Sequence, residues 1–214
     1  MTPKAPAPDG TADAILDAAE RLFAERGYAG CTVKQIGAAA RVNPALLSYY
    51  FGGKEGTYRA AIGRRLRAFA AEGMQDMSAA GSPTEAIRRF AEAYMRFMLR
   101  HPTLPKLLFR EVLDHDAEHA VEEVRIIASG PFQALCDVVR AGQARGEFRT
   151  DLDPARAAVS ILSPLVYILV ARPVASILLT GRRRGLTDDA MRDFAAHAAE
   201  FALAALAPVR RAGA

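Results

Sequence analysis

Residues 32–55, TVKQIGAAARVNPALLSYYFGGKE, constrain this chain more than any other stretch. They read as two short helices joined by a tight turn, with a third helix starting behind them. Thr32, with Gln35 three residues on, forms a capping box that opens the first helix. Val33, Ile36 and Ala40 supply its apolar face. Asn43 then caps a second helix, and Pro44 suits the first helical position because its φ is already helical. Leu47, Tyr50 and Phe51 follow, Gly52-Gly53 breaks the helix, and Lys54 begins the next. This is the layout that places one helix in the major groove of DNA.

The rest of the chain is also helical in pattern. Ala, Leu and Arg dominate, proline and glycine fall mainly between periodic segments, and alternating β-branched runs are nearly absent. An all-α fold is expected over the 214 residues. The net charge of +4 suits an anionic partner, although many basic proteins bind no nucleic acid. Cys31 and Cys136 are far apart and imply no disulfide framework, which points to a reducing cytoplasm. Residues 1–10 are Pro/Ala-rich without an apolar run and read as a disordered arm. The one membrane suspect, 157–179, is interrupted by Pro164, Arg172 and Pro173, so a buried, kinked helix is expected instead.

Helix 1 is predicted from a Thr11 cap to Gly27, with Ile15, Ala18, Ala19, Leu22 and Phe23 on its apolar face. The helix from Lys54 runs to about Met77, its Arg59, Arg64, Arg65 and Arg67 forming a basic, solvated side. Further helices are predicted over about 84–100, 104–115 and 118–144, the last split or kinked by Gly130-Pro131. Two more follow, over 154–180 and 188–206. The organisation expected is an N-terminal three-helix unit (11–60), joined by the long helix to a larger helical unit (61–207).

In the second short helix, Leu47 and Phe51 are the buried set, backed by Phe23 and Ile36. The outward residues are Asn43, Ala45, Leu46, Ser48 and Tyr49. Ala45 is small enough for close backbone approach. Tyr49 and Tyr50 carry hydroxyls for phosphates and rings for thymine methyls. Thr32 and Lys54 stand at helix starts, where free N–H groups attract phosphate. The same spacing also fits a plain three-helix bundle without a DNA role.

These residues resemble the N-terminal signature of TetR/AcrR-type transcriptional regulators. The family's Ile-x-x-Ala-Ala-x-x-Leu-Phe helix is matched by Ile15, Ala18, Ala19, Leu22 and Phe23, and Gly27-Tyr28, Thr32 and Ile36 follow in order. Val42, Leu47, Phe51, Lys54 and Glu55 occupy the places of the turn, reading helix and Lys-Glu pair. Arg41 replaces the usual Gly, Asn43 a Ser, Ala45 a Gly, Ser48 the first Tyr and Tyr50 a His. Asn and Ala keep the capping and small-residue logic, whereas Ser48 loses an aromatic contact.

The resemblance covers about residues 11–60. It implies double-stranded DNA as partner, a helical effector domain, a homodimer on a palindromic operator, and release by a small organic molecule. Dimerisation also has support from residues 190–207, which are apolar on most sides and need two burial partners. The dimer set is Ala195, Ala198, Phe201, Ala202 and Ala205. Candidate effector contacts are Tyr94, Phe97, Met98, Phe109, Phe132 and Tyr167, the tyrosines because a buried hydroxyl needs a partner. His115 and His119 have helical metal-ligand spacing but sit in an acidic, solvated segment; Cys136 has buried-thiol neighbours. No catalytic constellation or cofactor motif stands out. The function expected is a dimeric repressor. The alternatives are an activator of the same fold, or a small-molecule-binding protein that has lost its operator.

Overall fold

The structure, a computed structural model, describes residues 10–116 and 118–208. Among these, every regular element is helical. The expected arm lies outside the described residues except for Gly10, which already belongs to the first helix, α1 (Gly10–Arg26).

Helices α2 (Val33–Ala40), α3 (Ala45–Phe51), α4 (Lys54–Ser78), α5 (Pro83–Arg100) and α6 (Thr103–His115) follow the predicted order. The next stretch is broken as expected, but in three steps. A 3-10 turn at Glu118–Ala120 leads into α7 (Val121–Ile127), a π-helical turn spans Ala128–Phe132, and α8 (Gln133–Ala144) completes it. Pro131 sits in the widened turn, where its missing N–H costs no regular bond.

The helix expected over 154–180 is two helices, α9 (Pro154–Val170) and α10 (Arg172–Thr180), bent by 89°. The break lies at Ala171, not at Pro164, because Pro173 cannot donate to the preceding turn. No single described helix is long and apolar enough to cross a membrane; this bent pair reaches the length and composition only together. The last helix, α11 (Asp188–Leu206), is capped by the Thr187 hydroxyl.

The chain forms two compact units. One takes in the chain up to Leu66 and Lys106–Glu123; the other takes in Arg67–Pro105 and the chain from Val124 on. The first has a core of Ile15, Phe23, Ile36, Leu47, Ile62 and Leu107. The basic side expected of α4 is corrected by the structure: Arg59, Arg64 and Arg65 do not line a solvated face. Arg64 and Arg65 turn toward α1, where Glu20 accepts from Arg65 at 2.7 Å and Asp17 from Arg64 at 2.5 Å. Arg59 lies 3.8 Å from Glu123, and only Arg67 is exposed. Glu20 is buried, and a carboxylate taken out of water draws in cations to compensate it.

In the second unit α5 is central, packing along α11 and against α8 and α9. Phe90, Tyr94, Met95, Phe97 and Met98 of α5 meet Phe69 of α4, Leu135 and Val139 of α8, and Met191 of α11 in its core.

Candidate functional site

The turn between α2 and α3 is built by local bonds. The Thr32–Gln35 capping box is complete: the Gln35 amide donates to the Thr32 hydroxyl at 3.2 Å, and the Thr32 amide to Gln35 Oε1 at 2.9 Å. At the far end of α2, Arg41 adopts a left-handed conformation, φ 58°, and its N–H caps Ala38 and Gly37 carbonyls. Gly37 suits this place because a Cβ there would lie 3.0 Å from Pro44 Cγ, a tight contact. Without that Cβ, the start of α3 can press against α2.

Asn43 does cap α3: its Oδ1 accepts from the Ala45 amide at 2.9 Å. Leu47 is fully buried and holds α3 down, while Ser48 is exposed and Tyr49 is 72% exposed. Asn43 and Ala45 are exposed as well; Leu46 and Tyr50 are half-buried. Tyr49 and Tyr50 meet edge to face, ring centroids 5.1 Å apart. Phe51 is half-buried behind them.

Helix α4 starts against α3 through Gly56, where a Cβ would lie 1.7 Å from the Phe51 carbonyl oxygen. Lys54 at its first position is half-buried, its ammonium 4.2 Å from the Tyr28 ring centre. A cation over an aromatic face is held in place while its outer side stays available. Thr32 is exposed. Of the eight expected DNA residues, Thr32 caps α2, Asn43 caps α3, Ala45, Leu46, Ser48, Tyr49 and Tyr50 lie on α3, and Lys54 starts α4.

Behind them, the buried Glu111 carboxylate of α6 accepts from the Tyr58 hydroxyl at 2.9 Å and from the His119 amide at 2.7 Å. Burial and this carboxylate both push the Tyr58 phenol far above its ordinary range. His119 stacks on Tyr28, ring centroids 4.7 Å apart, and the side chain of His115 lies outside the described set. Sequence reasoning does not single out Glu20 or Glu111. Only their tertiary partners reveal them. Gly37 and Gly56, each inside a helical pattern, are the available signal for close approach.

The expected effector residues are only partly gathered. Tyr94 and Phe97 flank Phe69 in one aromatic cluster, with centroid distances of 5.5 and 5.4 Å. Met98 is buried on the same helix, and Phe132 is half-buried at the end of the π-helical turn. Phe109 is exposed in the first unit. Tyr167 is 51% exposed on α9, which removes the premise that its hydroxyl is buried; α9 turns that face outward. Tyr94 is 7% exposed, and its hydroxyl makes no hydrogen bond among the described residues. Desolvation alone raises its pKa. Burial likewise raises the Cys136 thiol.

A groove of ≈ 470 Å³ lies elsewhere in the second unit, between α9 and α11. Ala157, Ile161, Pro164, Ala198, Phe201 and Ala202 are among its lining residues, and none of the six effector candidates is. Of the expected dimer residues, Ala195 is sealed in the chain's own core, where α11 packs on α5 and α9. Ala198 is buried but lines the groove, Ala202 is half-buried, Ala205 is exposed and Phe201 is 73% exposed.

Comparison with known proteins agrees with this anatomy. Residues 15–61 match the family model of bacterial regulatory proteins, tetR family, and residues 83–200 match the Tetracyclin repressor-like C-terminal domain. The chain is 31% identical over 158 residues to the HTH-type transcriptional repressor NicS of Pseudomonas putida, across 72% of this chain and 74% of that one. It is 28% identical to the HTH-type transcriptional repressor SCO4008 of Streptomyces coelicolor, across 85% and 89% of the two chains. The fatty acid degradation regulator FadR from Bacillus halodurans shares the fold, with a TM-score of 0.76 and 20% identity over 94% of this chain and 97% of that one. The chain belongs to the TetR family and is a DNA-binding transcriptional regulator, not an enzyme.

Proposed function

We propose that this regulator is a dimeric repressor that leaves a palindromic operator when a small, largely apolar effector binds its second unit. The observation that carries the reading is α3. Leu47 anchors it while Tyr49, Ser48, Asn43 and Ala45 face outward on its other side. Asn43, Ala45, Leu46 and Tyr49 face the bases, with Ser48 beside them. Thr32, Tyr50 and Lys54 grip phosphates. Reading is assigned to 11–60, effector binding and dimerisation to 61–207. The names of NicS and SCO4008 support repression as the sign. A cytoplasmic site of action goes with this role.

Two copies would meet through α9 and α11, where Phe201, Ala202 and Ala205 stand outside the chain's own core. Two-fold symmetry sets the recognition helices about 34 Å apart, one turn of DNA. An effector acts only if it binds the state with the wrong spacing better. Tyr94 is the best-supported contact, since its ring packs against Phe69 and Phe90 and its hydroxyl makes no hydrogen bond among the described residues. Met98 and Phe132 are further contacts. Phe109 and Tyr167, both exposed, have less support.

The test is Tyr49→Ala and Tyr50→Ala, measured by fluorescence anisotropy on a duplex that the wild-type protein selects from a random library. Each should weaken binding by about tenfold or more, in line with about 1–3 kcal/mol for each interaction with a base or phosphate. The helical circular dichroism should not change. Unaltered affinity in both variants would mean that α3 is not the reading helix.

A further inference from the structure

Where a left-handed residue ends a helix among the described residues, it is usually glycine. Gly27 follows α1, Gly52 caps α3, Gly146 follows α8 and Gly181 caps α10, with φ between 68 and 75°. Among the described residues only two non-glycines have positive φ, Arg41 at 58° and Asp116 at 49°. Aspartate tolerates this region through its short polar side chain; arginine gains nothing there and has a Cβ crowding the following carbonyl. The exception therefore falls in the turn between α2 and α3, two residues before the Asn43 cap.

The Arg41 side chain is exposed, and it makes no ion pair or side-chain hydrogen bond among the described residues. This sets it apart from Arg59, Arg64 and Arg65, whose guanidinium groups all lie against carboxylates. Its only bonds are made by its backbone amide, which any residue but proline would provide. Neither folding nor packing accounts for an arginine here. A planar, permanently charged fork with five donors suits a phosphate.

We infer that Arg41 is a phosphate-gripping residue of the DNA interface, kept in a strained backbone position for its charge. The inference rests on the assignment of α3 as the reading helix. It predicts that stability and affinity move in opposite directions on substitution, which an ordinary surface residue would not show.

The experiment compares Arg41→Gly, Arg41→Asn and Arg41→Lys with the wild type, using the selected duplex and an unselected random duplex over a series of KCl concentrations. Arg41→Gly and Arg41→Asn relieve the strain, so both should melt about 2–4 °C higher. Both should bind each duplex about tenfold more weakly, with the slope of log K against log salt reduced by about one per protomer. Arg41→Lys should retain the slope. Unaltered affinity and slope in the Gly and Asn variants, or a Lys variant no better than Asn, would overturn the inference. Tyr49→Ala serves as the companion: if it weakens binding while the Arg41 variants do not, Arg41 alone loses its role. If Tyr49→Ala has no effect either, the reading-helix assignment falls, and this inference with it.

Discussion

The two compact units bury different kinds of side chain. Among the described residues, the buried polar and charged ones in the first are Glu20, Thr57, Glu111 and Glu123; in the second, Ser176 alone joins them. Glu20 and Glu111 each bridge elements distant in sequence, to Arg64 and Arg65 of α4 and to Tyr58 of α4. Directional bonds of this kind admit few geometries, and buried hydrogen bonds between helices favour one angle between them. The second unit relies on apolar contact, which tolerates rearrangement so long as volume is kept. A reading surface must present one shape, whereas an effector chamber must be able to change. The chemistry of each core suits its role.

Four measurements test that contrast, the largest effect first. Phe97→Ala removes a fully buried ring from the second unit and should cost about 3–5 kcal/mol in urea denaturation. Hydrogen exchange should place the loosening in the second unit; equal loosening of the first would mean that the two do not differ in this way. Tyr58→Phe leaves Glu111 with one donor fewer and should cost about 2 kcal/mol. No loss of stability would show that the first unit does not depend on its buried polar bonds.

The same Tyr58 also gives a pH test. Its folded pKa lies above the unfolded value of about 10, so its stabilisation is complete below that pH and is lost as pH rises through the folded value. Protection of the first unit should fall above about pH 10 in the wild type more steeply than in Tyr58→Phe. Parallel falls would remove the linkage. The smallest effect is the most discriminating. Tyr94→Phe deletes a hydroxyl that makes no hydrogen bond among the described residues, so stability should stay within about 1 kcal/mol or rise. A loss as large as that of Tyr58→Phe would erase the difference between the units.

What could be read from the chain beforehand follows the range of the interactions. Helix starts were legible because their signals span three or four residues. The Thr32 box and Asn43 appear as the expected caps, whereas Thr11 lies inside α1 rather than capping it. The outward face of α3 was legible for the same reason: a helix of seven residues anchored by Leu47 leaves few choices. The Arg64 and Arg65 partners were not, since Glu20 lies more than 40 residues away and periodicity carries no information about pairing. Tyr94 and Tyr167 illustrate the limit. Both are tyrosines on apolar helices, yet α5 is surrounded while one side of α9 is left open, and only the packing decides which side chain is enclosed.

The first unit is discontinuous in sequence: the chain crosses between units at Leu66–Arg67, Pro105–Lys106 and Glu123–Val124. A reading head is often pictured as a cassette to be cut from one regulator and spliced onto another. Here the N-terminal segment alone would lack Glu111, the acceptor for Tyr58, and the buried Leu107. Any chimera built on this protein therefore needs two grafts, the N-terminal segment and Lys106–Glu123. The second graft interrupts the segment that the recipient would otherwise contribute whole.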